Sequence, residues 1–232
     1  MASATPASSS RRRIDRHEVV LAACALLDEG GQDGFSMARV GRRLGVTAMA
    51  LYRHVKDRDD LESAIVDHVL ADLMTDEVVA DDGDSIDDWE AAVATWMYRV
   101  RSHWLRHPWI GRLIGGDHAL SPSWLGALGR LARALEDAGL PPEAVAREVV
   151  QISRVVVGVT VLEAQAPLPH TETFEPEALA RLKPDERARW ESLAVELDRY
   201  ANDELFADIV RQTVSRISES LANGSAARRS RR

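Results

Sequence analysis

The chain has 232 residues, 45% of them hydrophobic and 28% charged, and a formal charge of -8. That supplies a substantial core for one large or two modest domains and argues against a chain disordered throughout. No apolar run approaches the ~18 residues of a membrane span, and a single cysteine, Cys24, excludes an intramolecular disulfide, so a reducing cytoplasm is the expected compartment.

Residues 1–11 are rich in Ser and Ala, lack the apolar stretch of a secretory signal, and are expected as a disordered tail. A first helix is predicted from about Asp15 to Glu29, with Val19, Ala22, Ala23, Leu26 and Leu27 in one stripe and Gly30-Gly31 ending it. Cys24 lies within it and reads as a small buried apolar residue. Ser36 is a good N-cap for a short second helix reaching Leu44, where Gly45 breaks it. Thr47 is placed to cap a third helix running to about Val55. Asp57 opens a long fourth helix with Leu61, Ile65, Val69, Leu70 and Leu73 on its inner side.

Asp81 to Asp88 reads as an acidic linker. Helices follow over about Asp87 to Arg106, Trp109 to Ile114, Ser121-Pro122 to Gly139, and Pro141-Pro142 to Ala164. Val149 to Leu162 is β-branched enough for a strand, but the helix-start signals ahead of it favour a helix. Being apolar on most faces, that helix needs two partners, the core and a second subunit. A loop rich in Pro and acidic residues (Pro167 to Pro176) precedes two last helices, about Asp185 to Tyr200 and Asp203 to Leu221. Residues 223–232 read as a basic disordered tail.

The expected fold class is therefore all-α: a three-helix, helix-turn-helix domain over 12–60 and a larger helical domain over 61–222. Charge divides the same way. Ser36 to Arg58 holds six Lys/Arg against one Asp/Glu, while Leu61 to Arg232 holds 19 against 29. A basic module on an acidic body suggests that one end meets a polyanion.

Two short helices joined by a tight turn lay the second helix in the DNA major groove. Gly41 sits where the helices cross, and Gly45 supplies a turn tolerant of left-handed geometry. Val40, Leu44, Val46, Leu51 and Val55 are placed to hold the helices together. Ala48, Met49, Tyr52, Arg53 and Lys56 remain outward, flanked by Arg42, Arg43 and Arg58. Ala48-Met49-Ala50 carries no side-chain donor, so contact with thymine methyls is its available direct readout.

The segment "VVLAACALLDEGGQDGFSMARVGRRLGVTAMALYRHVKDRDDL" resembles the DNA-binding domain of TetR-family transcriptional repressors, over Arg12 to about Leu70. Its markers are Phe-Ser before the second helix, Leu-Gly-Val at the turn, and Leu-Tyr-x-His-Val-Lys followed by Asp-Leu. The rest is similar, more loosely, to the regulatory domain of the tetracycline-repressor branch, in helix count, "LRHPW" and "GVTVLEAQ". The resemblance implies phosphate contacts from Tyr52 and His54, backbone contacts or helix capping at Lys56 and Arg58, and base contacts from Thr47, Ala48, Met49 and Ala50. Arg53 is expected at a phosphate or a guanine. Ser36 and Arg39 complete the DNA-facing set. Ala38 stands where tetracycline repressors carry a guanine-reading Arg, so their operator does not transfer.

The resemblance further implies a homodimer that binds double-stranded operator DNA and is released by a small-molecule effector. The Val149 to Leu162 helix and the last helix, with Leu205, Ile209, Val210, Val214, Ile217 and Leu221, are the expected dimer bundle, with Val156, Gly158 and Val159 allowing close approach. Pocket candidates are Met74, Trp96, Val100, Trp104, Trp109, Leu113, Trp124, Leu128, Ile152 and Val156, which suit an apolar or aromatic effector. Met74 and Ile114 fall where the tetracycline branch carries histidines, so a different ligand is expected. The remaining histidines show no metal-ligand spacing, and neither metal nor cofactor is expected. A Gly-rich phosphate loop and a nucleophile elbow are both missing from the sequence, which disfavours an enzyme. A helical protein–protein adaptor and a ligand-independent regulator or activator of the same fold are the alternatives.

Overall fold

The computed structural model describes residues 14–75, 88–114, 121–165, 176–197 and 202–229. Tail residues 1–11, most of the acidic linker and most of the Pro-rich loop lie outside this set. All regular structure among the described residues is helical.

Helix α1 (Arg16–Gly30) starts one residue after its expected start, with Asp15 as its cap. The Asp15 Oδ1 accepts the Glu18 amide at 2.8 Å, and Glu18 Oε2 accepts the Asp15 amide at 3.1 Å. This reciprocal pair satisfies two otherwise orphaned donors. After a single 3-10 turn (Gln32–Gly34), α2 (Met37–Leu44) begins at Ser36, whose hydroxyl accepts the Arg39 amide. Gly45 ends α2 with φ 71° and ψ 27°, in the left-handed region where a Cβ is costly.

Helix α3 is shorter than expected. Its regular part is Ala48–Leu51, and Tyr52 to His54 continue as tight turns, with His54 and Val55 amides both donating to the Leu51 carbonyl. Thr47 stands at the N-cap with extended backbone but makes no side-chain capping bond. Helix α4 (Arg58–Thr75) follows, with Asp57 Oδ1 accepting the Asp60 amide. Val19, Ala23, Val40, Leu51, Val55, Leu61 and Ile65 form the sealed centre of this first unit.

The second unit comprises α5 (Trp89–Arg106), α6 (Ile110–Ile114), α7 (Pro122–Asp137), α8 (Pro142–Gln165), α9 (Pro176–Ala180), α10 (Pro184–Leu197) and α11 (Asn202–Arg229). Asp88 and Ser121 cap α5 and α7 with their side chains. Val149 to Leu162 is helical, its β-branched composition overridden by packing against α5 and α7. Helix α9 was not anticipated. Helix α11 runs past Leu221 to Arg229, into the stretch expected as tail.

Helix α5 is the pivot of this unit, touching α4, α7, α8 and α11. Met97, Trp104, Leu131, Leu135, Ile152 and Phe206 are sealed around it. Two ion-pair groups lock its partners. Arg101 of α5 forks onto Glu163 of α8 at 2.6 and 2.8 Å, reaches Asp203 of α11 at 2.7 Å, and stacks on the Phe206 ring. Arg216 of α11 forks onto the buried Glu148 of α8 at 2.7 and 2.8 Å. Both hold their guanidinium pKa above its usual value through the carboxylate hydrogen bonds.

Helix α4 belongs to both units. It starts beside α3, packs on α1, and continues onto α6, α7 and α5.

Candidate nucleic-acid interface and interior cavity

The geometry of the turn explains why the sequence needs Gly41. A Cβ there would stand 2.8 Å from the Val46 carbonyl oxygen and 3.1 Å from the Ala48 amide nitrogen. Instead the Gly41 carbonyl accepts the Val46 amide at 2.9 Å, so α2 and α3 cross nearly backbone to backbone.

The crossing presents a short surface. Met49 is 75% exposed and Tyr52 44%. Thr47, Arg53 and Lys56 are exposed, and Ala48, Ala50 and His54 are half-buried between them. Because the Thr47 hydroxyl is not spent on a cap, it stays on this surface.

Other members of the expected set are held by the protein itself. The Ser36 hydroxyl is occupied by the Arg39 amide. Arg39 turns back and donates through Nη1 to the Gly34 carbonyl at 2.9 Å and the Asp33 carbonyl at 3.4 Å. Arg58 donates to Glu62 at 2.6 Å and lies over the Phe35 ring. Arg43 pairs with Glu29 at 2.9 Å. These four hold the 3-10 turn, α2 and the start of α4.

A clamp that sequence reasoning missed fixes the end of α3. Arg16 of α1 forks onto Asp60 at 2.7 and 2.9 Å and also donates to the His54 carbonyl at 2.9 Å. The Lys56 amide donates to the same Asp60 carboxylate at 2.8 Å. The Arg16 bond, then the Lys56 amide, depress the Asp60 pKa to about 2. Partners 44 residues apart leave no local signal in a sequence.

A second junction joins the first unit to the larger body. Trp109 Nε1 donates to Asp28 Oδ1 at 2.7 Å, and His107 Nδ1 lies 3.2 Å from the same oxygen. Asp28 is in the last turn of α1, and Trp109 directly precedes α6. Nearby, burial first and the Asp28 charge second push the Cys24 thiol up to about 12, so it stays protonated.

The larger body contains an apolar cavity of about 70 Å3 between α5 and α7, lined also by Leu73 of α4. Trp96 and Val100 line it, with Ala127 and Ala134 opposite. Trp96 Nε1 donates to the Ala127 carbonyl at 2.7 Å, which fixes the indole as a wall. An open cleft of about 470 Å3 adjoins it, sharing Leu73, Thr95 and Arg99.

The other pocket candidates sit elsewhere. Trp104 and Trp124 pack ring against ring at 5.3 Å beneath the Trp96 wall. Leu113, Ile152 and Val156 are buried in the core, and Leu128 is packed against it. Trp109 is engaged with Asp28. None of these lines the cavity. The Met74 and Ile114 side chains lie outside the described set. Helical spacing marked these residues as interior but does not separate a cavity wall from ordinary packing. Arg130 and Arg133, which do line the cavity, are not among the candidates read from the sequence.

Comparison with known proteins places both units. The description "Bacterial regulatory proteins, tetR family" matches residues 19–65, and "Tetracyclin repressor-like, C-terminal domain" matches residues 82–199, half of the chain. The chain belongs to the TetR family. That family is one of DNA-binding transcriptional regulators of helix-turn-helix type, not of enzymes.

Among TetR-type relatives, the HTH-type transcriptional repressor DrrR1 of Streptomyces coeruleorubidus is 28% identical over 153 residues, covering 66% of this chain and 55% of that protein. The chain thus matches little more than half the length of that relative. A possible TetR family transcriptional regulator of known structure from Streptomyces coelicolor is 25% identical, with TM-score 0.73, covering 89% of this chain and all of that one. ActR from the same organism, solved in complex with actinorhodin, shares the fold at 20% identity and TM-score 0.69, covering 90% of this chain and 97% of that one. Among the described residues no helix is long and apolar enough to cross a membrane.

Proposed function

We propose that this TetR-family chain is a homodimeric repressor of a two-fold symmetric operator, released when a small molecule enters the cavity between α5 and α7. The observation carrying this reading is the path of α4. It begins at Asp57 beside the DNA-reading turn and is clamped there by Arg16. It ends with Leu73 as a wall of the cavity. A ligand that shifts Leu73 therefore acts on a helix that carries the reading head, and a ligand preferring one head spacing shifts the population towards it. The actinorhodin complex of ActR supports ligand binding in a protein of this fold.

Residues 12–60 form the DNA-binding unit and 61–222 the effector and dimerisation unit in this reading. Thr47, Met49, Tyr52, Arg53, His54 and Lys56 meet the DNA, with Ala48 and Ala50 seating the helix against it. Tyr52, His54 and Lys56 contact phosphates. Arg39, Ser36 and Arg58 act mainly by shaping the surface that carries them. The dimer forms through α8 and α11. Val150, Val155 and Leu162 are exposed along α8, and Gly158 between them has open space above it. Ile152 and Val156 face the chain's own core, so the interface stripe is the opposite face of α8.

The test is a DNA titration with a duplex selected from a randomised pool. Lys56→Ala in both heads is expected to lower the salt slope by about two units per dimer, since each phosphate contact contributes roughly 0.9. It should weaken all operator variants alike. Met49→Gln is expected to change base preference at one position per half-site instead. Unaltered slopes and unaltered preferences would remove this surface from the DNA.

A further inference from the structure

We propose that Arg42 of α2 reads a guanine of the operator, beside the residues of α3. This rests on the DNA reading of the same surface and adds a base contact from the neighbouring helix. Successive helical residues turn by about 100°. Gly41 marks the side of α2 that lies on α3, because a Cβ there would meet the Val46 carbonyl oxygen at 2.8 Å, the Ala48 amide nitrogen at 3.1 Å and the Thr47 carbonyl carbon at 3.2 Å. To one side of Gly41, Val40 and Leu44 turn into the core. To the other stand Ala38 and Arg42, one turn apart and both exposed.

The remaining arginines of α1, α2 and the start of α4 are held by the protein. Arg39 donates to the Gly34 carbonyl, Arg43 pairs with Glu29, Arg58 with Glu62 and Arg16 with Asp60. Among the described residues, the Arg42 and Arg53 guanidiniums make no hydrogen bond or ion pair. Residues 1–13 contain no Asp or Glu to engage them. The two arginines flank opposite ends of α3. Arg53 lies past Leu51, in the tight turns with Tyr52 and His54, the proposed phosphate contacts. Arg42 follows Gly41, whose backbone lies against Ala48 at the first turn of α3. That is the end of a recognition helix that meets base edges.

A helical side chain leans towards the N-terminus, over the residues three and four positions back. For Arg42 these are Arg39, which is turned onto Gly34, and Ala38, which offers only a methyl group. The path of the guanidinium along this edge of α2 is therefore clear. Ala48, Met49 and Ala50 bring no side-chain donor to the same part of the groove. Guanine is the base that presents two acceptors there, O6 and N7, and a guanidinium matches them with two parallel bonds.

The full-length protein is titrated at fixed salt with a duplex selected from a randomised pool and with its single-position variants. Arg42→Gln is expected to weaken the selected duplex at least about tenfold and to erase a guanine preference at one position per half-site. Placing 7-deazaguanine at that position removes the N7 acceptor. It should weaken the parent about fivefold or more and change Arg42→Gln binding less than about twofold. Because the residue is exposed and unpaired, the denaturation midpoint of Arg42→Gln is expected to equal that of the parent, and the deazaguanine loss is read on the parent itself. Unaltered affinity overturns the proposal. So does a uniform weakening that keeps every base preference, which assigns Arg42 to a phosphate. Lys56→Ala and Met49→Gln separate the two readings. If they change binding while Arg42→Gln does not, only this contact fails. If none of the three does, the DNA reading of the whole surface fails with it.

Discussion

At residue 41 a single hydrogen replaces what would otherwise be a steric conflict with the backbone of the turn. Gly41→Ala forces a Cβ to within 2.8 Å of a carbonyl oxygen that cannot move without opening α2 from α3. The expected cost is about 1–3 kcal/mol, read as a lower denaturation midpoint, with operator affinity falling alongside. An unchanged midpoint would mean that the crossing is looser than the geometry implies. His103 yields a second residue-scale expectation. It is 2% exposed, its ring lies against Trp104, and among the described residues its Nε2 finds no hydrogen-bond partner. Asp72 of α4 and the Val69 carbonyl favour its charged form, but burial and the charges of Arg106 and His107 outweigh them. With a folded pKa near 4 and an unfolded value near 6.5, the unfolded chain binds the extra proton between these values. Its contribution to stability is thus complete above pH 6.5 and shrinks as pH falls towards 4. His103→Leu should lose less stability than the parent between pH 6.5 and 5 in denaturant titrations, and a parallel loss in both proteins would contradict the assignment.

Elements show which parts of this fold a sequence can announce. Some helix starts announced themselves: Ser36, Asp57 and Ser121 each satisfy an amide three residues on, as Asp15 and Asp88 also do, while Thr47, expected as a cap, makes no such bond. Gly45 was readable because a left-handed turn leaves few alternatives. The length of α3 was not, since Tyr52 to Val55 has ordinary helix propensity and its tight turns are set by the Arg16–Asp60 clamp. The same limit applies to the cavity. Periodicity found Trp96 and Val100 as interior residues, but the gap between α5 and α7 depends on how these helices cross, which propensity does not encode. Helix α8 is a case between the two. Its excess of apolar faces was legible, while the division between core and outer face was not: Val156 is sealed and Leu162 is 64% exposed. That exposure makes the dimer testable without disturbing the subunit. Leu162→Asp or Val155→Asp should leave helicity and the melting transition of the subunit nearly intact, while light scattering at micromolar concentration reports monomers. A persistent dimer would move the interface off this face of α8.

For the molecule as a whole, the arrangement of charge and the rigidity of α4 bear on one measurable property, the spacing of operator half-sites. In the proposed dimer, the acidic body, with 29 Asp/Glu against 19 Lys/Arg from Leu61 onward, would repel the duplex and leave binding to two small basic heads. In that reading each head alone would touch few phosphates, and affinity would come from engaging both at once. The second contact is then intramolecular, and its effective concentration depends on whether the heads can reach both half-sites. The Asp28 contacts with Trp109 and His107, together with α4 running unbroken from the clamp to the cavity, fix each head to its own body. Rigid heads require a fixed separation, about one helical turn of DNA or a multiple of it. Inserting five base pairs at the centre of a selected operator turns one half-site to the far side of the duplex. Affinity should then drop about a hundredfold, to near the value for an isolated half-site. Trp109→Phe, which removes the donor to Asp28, should blunt that penalty by loosening the head. If the inserted operator binds as tightly as the parent, the heads move independently of the body, and α4 cannot be the element through which a ligand controls them.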